Sequence, residues 1–484
     1  MKLEDKISRG FALVFLSTMG SRVASLLADL FLTRLLAAEV FGILGFGLVM
    51  VNSLALIRSM GVGEALIFRR EVDQQSVDTA LVLSVVLGIG IYGLLFFGAS
   101  SLSHLLADGD PLQVAEVLRV LGLLVLLQAL GSVPGALLER ELAFDKKLYV
   151  DTLPAFLYAF IAVGLALSGY GLWSMVYGRL LSGLASAVAS WLCVSWRPRW
   201  RWNWDRFRQL GGYGRYAAGA AVVSFLVVNV DDVLVGYLGG KAELGYYTRA
   251  YMLANLPVTA IAHVANRVAF PAYARLEGEG GDTAELYGRI LGGVALLTLP
   301  MACLLLLLAE PFTVAVLGSR WLPIVPLLQA LALYGFIRSL FSNSGPLFNA
   351  KGWPETVLKI NIFQLGVLAL ILYPLIQRWG ALGACIATLV GILLSAPLVM
   401  WYLHRGGAVG LRLQFLSLRP LWWPSMAMVT VLLASQYGLA AVGAWWKLLI
   451  GGVGGVVAYG GILYWRERQA LVQLVTANLA EVIA

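Results

Sequence analysis

Apolar residues run along this chain in blocks of about 20, separated by short polar stretches that hold most of its charge. A helical block of that length matches the roughly 30 Å hydrocarbon core of a bilayer. About fourteen such blocks can be read. In the first half they cover 11–33, 41–65, 78–100, 114–137, 150–169 and 172–195. In the second they cover 214–238, 249–271, 288–309, 323–345, 357–377 and 381–404, followed by a last pair at 420–440 and 443–465. Barrel strands would be about ten residues long and alternate in polarity, which these blocks do not. Inside lipid every backbone N–H and C=O must be paired within its own segment. The pattern therefore predicts an all-α polytopic membrane protein.

The polar stretches alternate in charge. With the N-terminus in the cytoplasm, the inner stretches carry twenty Lys and Arg, from Lys2 to Arg468. The outer ones carry five: Arg34, Lys241, Arg320, Arg378 and Lys447. That asymmetry predicts both termini inside and an even number of spans. Trp196, Trp200, Trp202, Trp379, Trp422, Trp423 and Trp465 fall at span ends, where aromatic belts meet the headgroups. The polar start MKLEDKISRG precedes an apolar stretch of span length rather than a short signal-peptide core, so that stretch is expected to remain as the first span.

Composition narrows the class. Of 484 residues 60% are hydrophobic and 13% charged, against about 25% charged in a soluble domain. A fold of this size cannot hide so much apolar surface from water. The net charge of +8 is dispersed at span ends, which predicts anionic lipid contacts and no nucleic-acid partner. Cys193, Cys303 and Cys385 lie inside apolar runs, without metal-ligand or disulfide spacing. GIGIYG at 88–93 fits a dinucleotide fingerprint by letter, but it sits mid-span with no strand before it, so close helix packing is the expected reading. GGVGGVVAYGG at 451–461 is read the same way. No metal, cofactor or catalytic constellation is expected.

The longest inner linker, WRPRWRWNWDRFRQLGG at 196–212, divides two similar halves. LADLFLTRLLAAEVFG at 27–42 resembles VDDVLVGYLGGKAELG at 230–245, pairing Asp29 with Asp232 and Gly42 with Gly245. FDKKLYVD at 144–151 resembles WPETVLKI at 353–360, and GYGLWSM at 169–175 resembles RWGALGA at 378–384. The expected organisation is a six-helix bundle over 1–196, an amphipathic cytoplasmic linker over 197–212, and a second bundle over 213–405. Two extra transmembrane helices and a cytoplasmic tail then fill 406–484. An even count per copy gives the copies one orientation, as in parallel-repeat transporters.

Charges inside the spans are the candidate functional groups. Arg22, Arg58, Arg119, Arg179, Arg215, Arg249, Arg267, Arg289, Arg338 and Lys359 all fall within or at the edge of predicted helices. A basic residue near a helix centre costs about 2.5–3.5 kcal/mol to insert. Arg119, Arg215, Arg249, Arg289 and Lys359 lie near enough to an interface to snorkel. Arg22, Arg58, Arg267 and Arg338 lie deeper and are the candidates for lining a cationic cavity. Candidate counter-charges or coupling groups are Asp29, Glu64, Asp231 and Asp232. An excess of arginine over acid predicts an anionic substrate, because the guanidinium pairs bidentately with phosphate.

The stretches LTRLLAAEVFGILGFGLVMVNSLALIRSMGVGEALIFRR, ending at Arg70, and VDDVLVGYLGGKAELGYYTRAYMLANLPVTAIAHVANRVAFPAYARL at 230–276 resemble the bacterial polysaccharide-export flippases. These belong to the multidrug/oligosaccharidyl-lipid/polysaccharide exporter superfamily. The resemblance covers essentially the whole chain. It implies two six-helix bundles that alternate in access, and translocation of undecaprenyl-pyrophosphate-linked oligosaccharides from the inner to the outer leaflet of the bacterial cytoplasmic membrane. It also implies that Arg22, Arg58 and Arg267, on the first, second and eighth spans, hold the pyrophosphate, as cavity arginines do in the related peptidoglycan-precursor flippases. A polysaccharide polymerase and chain-length machinery are the expected partners of a monomer. Two alternatives carry different chemistry. One is a cation-coupled multidrug exporter of the same superfamily, usually of twelve spans. The other is a membrane polymerase or ligase, which would need a substantial catalytic outer loop.

Overall fold

The computed structural model describes residues 20–59, 73–141, 143–199, 202–405, 409–438 and 442–483. Within these, 56–59, 144, 205–224, 227, 260, 263–264, 267–268 and 467–483 are described by backbone alone. Among the described residues the regular structure is helical throughout, without strands. The chain divides into two compact units, residues 1–245 and 246–484.

The first unit contains α1 (20–35), α2 (Ala38–Ser59), α3 (Gln74–Ser103), α4 (Pro111–Arg140), α5 (Phe144–Leu167) and α6 (Leu172–Cys193). It ends with most of the helical run Trp204–Ala254, which Gly240 breaks at φ 81° into α7 before it and α8 after it. Local chemistry sets several boundaries. Asp73 caps α3 by accepting the Ser76 N–H at 3.1 Å. Asp110 accepts the Leu112 N–H at 3.1 Å, with Pro111 in the first turn of α4. A core of Val77, Leu81, Val133, Leu137, Leu138 and Val150 joins α3, α4 and α5.

The linker is clasped onto the start of α3. Asp78 Oδ1 accepts the Arg199 N–H at 3.1 Å, and Gln74 Nε2 donates to the Arg197 carbonyl at 3.2 Å. Helix resumes at Trp204, inside the stretch read as linker, so the extended part is only its beginning.

In the second unit α8 continues to Ala254, passes a π-helical turn at Val258–Ala262 and runs on as His263–Glu279. Next come α9 (Thr283–Leu307) and α10 (Ile324–Phe341, extended by Ser344–Ala350). The run Pro354–Arg405 is divided by Gly380 into α11 and α12. The unit closes with α13 (Trp422–Gly438) and α14 (Ala444–Ile483). Each of the fourteen predicted blocks overlaps a helix. By length and hydropathy nine helices among the described residues qualify as spans, because Pro354–Arg405 counts once and others are shorter or partly described.

The surface is apolar where lipid would lie: Phe97 and Phe160 are 84% exposed, Leu370 78% and Trp465 83%. In water such a surface would drive association. The chain is a multi-pass membrane protein.

The matched glycines of the two halves adopt matched geometry. Gly171, before α6, has φ 52° and ψ −124°; Gly380, before α12, has φ 57° and ψ −138°. Both close a helical hairpin in a backbone region open chiefly to glycine. At the α1–α2 and α7–α8 junctions, a Cβ on Gly42 would sit 1.8 Å from the Lys241 carbonyl oxygen, and one on Gly245 would sit 1.9 Å from that of Ala38. Residues 38 and 241, like 42 and 245, are 203 positions apart, so each repeat-related glycine lies against the counterpart of its own neighbour.

The glycine-rich runs divide. Gly451 and Gly455 lie against α13, where a Cβ would meet Ser435 and Leu432. In the 88–93 stretch Gly88 is buried, as the packing reading expects, while Gly90 and Gly93 border open space. The close approach is made instead by Gly122 of α4, which receives Tyr92 and Leu95.

Candidate translocation site

In the first unit, α1, α5 and α6 bring three polar groups together inside an otherwise apolar bundle. Asp29 of α1 is buried, and the Tyr158 hydroxyl donates to its Oδ1 at 3.3 Å. The Arg179 guanidinium lies over the Tyr158 ring, 4.2 Å from its centroid. Arg179 Nε is buried with no hydrogen-bond partner among the described residues. Thr33, one turn after Asp29, donates to the Asp29 carbonyl at 2.6 Å. Acid, phenol and guanidinium thus form a column in which one negative and one positive charge share a tyrosine.

The second unit holds a cluster of another kind. Arg338 falls near the middle of the 27-residue span Ile324–Ala350. Its Nη1 donates to the Tyr251 hydroxyl at 2.8 Å and to the Tyr334 hydroxyl at 3.3 Å. The Tyr334 ring centroid lies 5.8 Å from the guanidinium. No carboxylate lies within ion-pair reach of Arg338 among the described residues. Its positive charge is oriented but not neutralised, the electrostatic condition for attracting an anion in a span.

Arg22 is half-buried on α1, two turns before Asp29. Arg58 of α2 and Arg267 of α8 are helical, but their side chains lie outside the described residues, as does Glu64 altogether. Asp231 and Asp232 sit together on α7, and the Asp232 N–H donates to Asp231 Oδ1 at 3.0 Å. Asp231 is buried, and Asp232, the counterpart of Asp29, is half-buried. Of the bases expected near an interface, Arg289 pairs with Glu285 at 2.7 Å and Lys359 with Glu355 at 3.5 Å, both exposed. Arg119 bonds Ser100 Oγ at 3.0 Å and lies over the Phe96 ring. No group of acids, histidines or cysteines suited to a metal occurs among the described residues.

Sequence reading missed Tyr158, Tyr251 and Tyr334. Tyr334 and Arg338 stand four apart on one helix face, a spacing that was legible. Tyr158 and Tyr251 come from other helices and had no local signal.

The helical membrane fold is one that a lipid flippase and multidrug exporters of known structure share. The chain matches the lipid II flippase MurJ in an inward closed conformation, with a TM-score of 0.79 at 14% identity, over 95% of this chain and 99% of that one. An inward-facing multidrug resistance MATE family transporter of the MOP superfamily matches at a TM-score of 0.63 and 18% identity, over 78% of this chain and 93% of that one.

The chain belongs to the polysaccharide biosynthesis protein family, which it matches over residues 31–326. It is 25% identical to the succinoglycan biosynthesis transport protein ExoT of Rhizobium meliloti (strain 1021), over 92% of this chain and 90% of that protein. It is 24% identical to the lipopolysaccharide biosynthesis protein WzxC of Escherichia coli (strain K12), over 75% and 73%. The match to the teichuronic acid biosynthesis protein TuaB of Bacillus subtilis (strain 168) is 24% identical and spans 61% of each chain.

Proposed function

We propose that this protein is a flippase that carries undecaprenyl-pyrophosphate-linked oligosaccharide units from the inner to the outer leaflet of a bacterial cytoplasmic membrane by alternating access. The observation that carries the reading is Arg338, a mid-span cation held by two phenols with no acid in reach among the described residues. A membrane protein sustains such a charge where an anion passes. Kinship with a succinoglycan biosynthesis transport protein and a lipopolysaccharide biosynthesis protein supports the substrate class.

In this proposal Arg22, Arg58, Arg267 and Arg338 hold the pyrophosphate, the sugars cross in water, and the lipid tail stays in the bilayer. Asp29, with Asp231, Asp232 and Glu64 as further acids, couples transport to a cation. The protein performs no covalent chemistry, keeps both termini in the cytoplasm, acts as a monomer and delivers its cargo to a polysaccharide polymerase and chain-length machinery. The bundles over 1–196 and 213–405, with the pair of helices beyond 406, are its working parts.

Loss of the gene should abolish the surface polysaccharide and leave lipid-linked repeat units facing the cytoplasm. The wild-type chain should restore export, whereas Arg338→Ala at equal membrane abundance should not. Normal polysaccharide in the deletion strain would overturn the reading. A second reading, cation-coupled multidrug export, is favoured by the buried carboxylates of Asp29 and Asp231. It predicts drug sensitivity rather than polysaccharide loss in the same strain.

A further inference from the structure

We infer that Tyr251 and Tyr334 are positioning residues that aim the guanidinium of Arg338 as a preset fork for a diphosphate. The inference takes only the identity of the cargo from the flippase reading.

An arginine inside a membrane span ordinarily finds a carboxylate, which fixes it and also cancels its charge. Arg338 is fixed without meeting a carboxylate among the described residues. Both phenols accept from the same nitrogen, Nη1, at 2.8 Å from Tyr251 and 3.3 Å from Tyr334. A phenol oxygen is a neutral acceptor, so these bonds orient the planar group and leave its charge in place. They also engage one corner of the plane. Nε and Nη2 make no hydrogen bond among the described residues and are not sealed from solvent. Those two nitrogens form the edge of the guanidinium that matches two phosphate oxygens at once.

The supports of the fork are themselves fixed. Tyr334 is buried one helical turn before Arg338 and tilts against Tyr251, ring centroids 6.2 Å apart. Tyr251 in turn packs at 6.1 Å against Tyr247, which is fully buried. The ladder Tyr247–Tyr251–Tyr334 thus restricts the rotamers of a long side chain that would otherwise lose much freedom on binding. A ligand meeting a pre-oriented donor binds more tightly for that reason. The π-helical turn at Val258–Ala262 comes two turns after Tyr251 on α8, a form of helix found often at functional positions.

The test is binding of inorganic pyrophosphate to the purified full chain in detergent, by calorimetry. Phenylalanine at 251 and 334 keeps the rings and removes only the acceptors. The Tyr251→Phe/Tyr334→Phe protein should bind pyrophosphate about tenfold more weakly than wild type at an unchanged melting temperature. Arg338→Lys should lose at least as much, and adding the two Phe substitutions to it should cost nothing further, because the hydroxyls act only through the guanidinium. Additive losses in that combination, or wild-type affinity in the double Phe protein, would overturn the inference. So would loss of affinity only in step with melting temperature, or no binding by wild type. Pyrophosphate binding by wild type beside normal polysaccharide in the deletion strain would refute the flippase reading and leave the fork standing.

Discussion

The two units solve the problem of an arginine in a span in opposite ways. In the first, Arg179 lies on Tyr158, and the hydroxyl of that tyrosine reaches Asp29. In the second, Arg338 donates to Tyr251 and Tyr334 and meets no acid among the described residues. Both clusters set one guanidinium against tyrosine, yet the first is balanced by an acid and the second meets none among the described residues. A balanced cluster can change its net charge by taking up a proton or a small cation at its carboxylate. An unbalanced one retains a field able to draw a large anion out of water. A guanidinium against tyrosine is thus common to both; the carboxylate decides which service it gives.

The sharpest way to break this comparison is to give the second unit the acid that it lacks. Tyr334→Asp would place a carboxylate one turn from Arg338. If the charge there serves an anion, polysaccharide export should fall by about a hundredfold, the equivalent of ~3 kcal/mol for a charge-assisted contact. Membrane abundance, read by immunoblot, should hold. Export within twofold of wild type would mean that the excess charge has no role.

A smaller effect is expected from removing the acid of the first unit. Asp29→Asn keeps shape and most hydrogen bonding but cannot cycle a charge. Export should drop about tenfold, one charge-assisted hydrogen bond, and should no longer respond to imposed proton or sodium gradients. If the response survives in Asp29→Asn and in Asp232→Asn alike, coupling does not run through these carboxylates.

The smallest effect should come from Arg179→Met, which preserves much of the stem and removes the cation from the Tyr158 ring. A partly buried cation–π contact is worth about 1–2 kcal/mol. The melting temperature of the purified protein should fall, while export at permissive temperature stays within about twofold, the span of ~0.4 kcal/mol. A collapse of export at full abundance would move Arg179 into the transport machinery and dissolve the contrast between the units.

Much of this architecture was legible in the chain. Block lengths predicted the spans, because bilayer thickness and helical rise fix them together. The stretches around Gly171 and Gly380 match along the chain as copies of one repeat, and the two glycines share nearly the same positive-φ backbone. Gly42 and Gly245, paired by the same kind of match, do meet the neighbours of each other. GIGIYG packs only at Gly88, because a glycine marks where a helix could approach, and only packing determines whether one does. Gly90 borders open space while Gly122, in an unremarked stretch, receives the contact.

The sequence by itself determined the features that local periodicity and bilayer thickness dictate: which segments have the length and polarity to cross, and that several arginines must lie within spans. Tertiary structure alone decided which of those arginines would meet an acid. Tyr251 and Arg338 are 87 positions apart, and Tyr158 and Asp29 are 129 apart. A helix displays its neighbours at three and four residues, but the partner across a bundle is set by which faces of separate helices pack together. Whether a buried charge is neutralised depends on that packing, through distances of a few ångströms between groups remote along the chain.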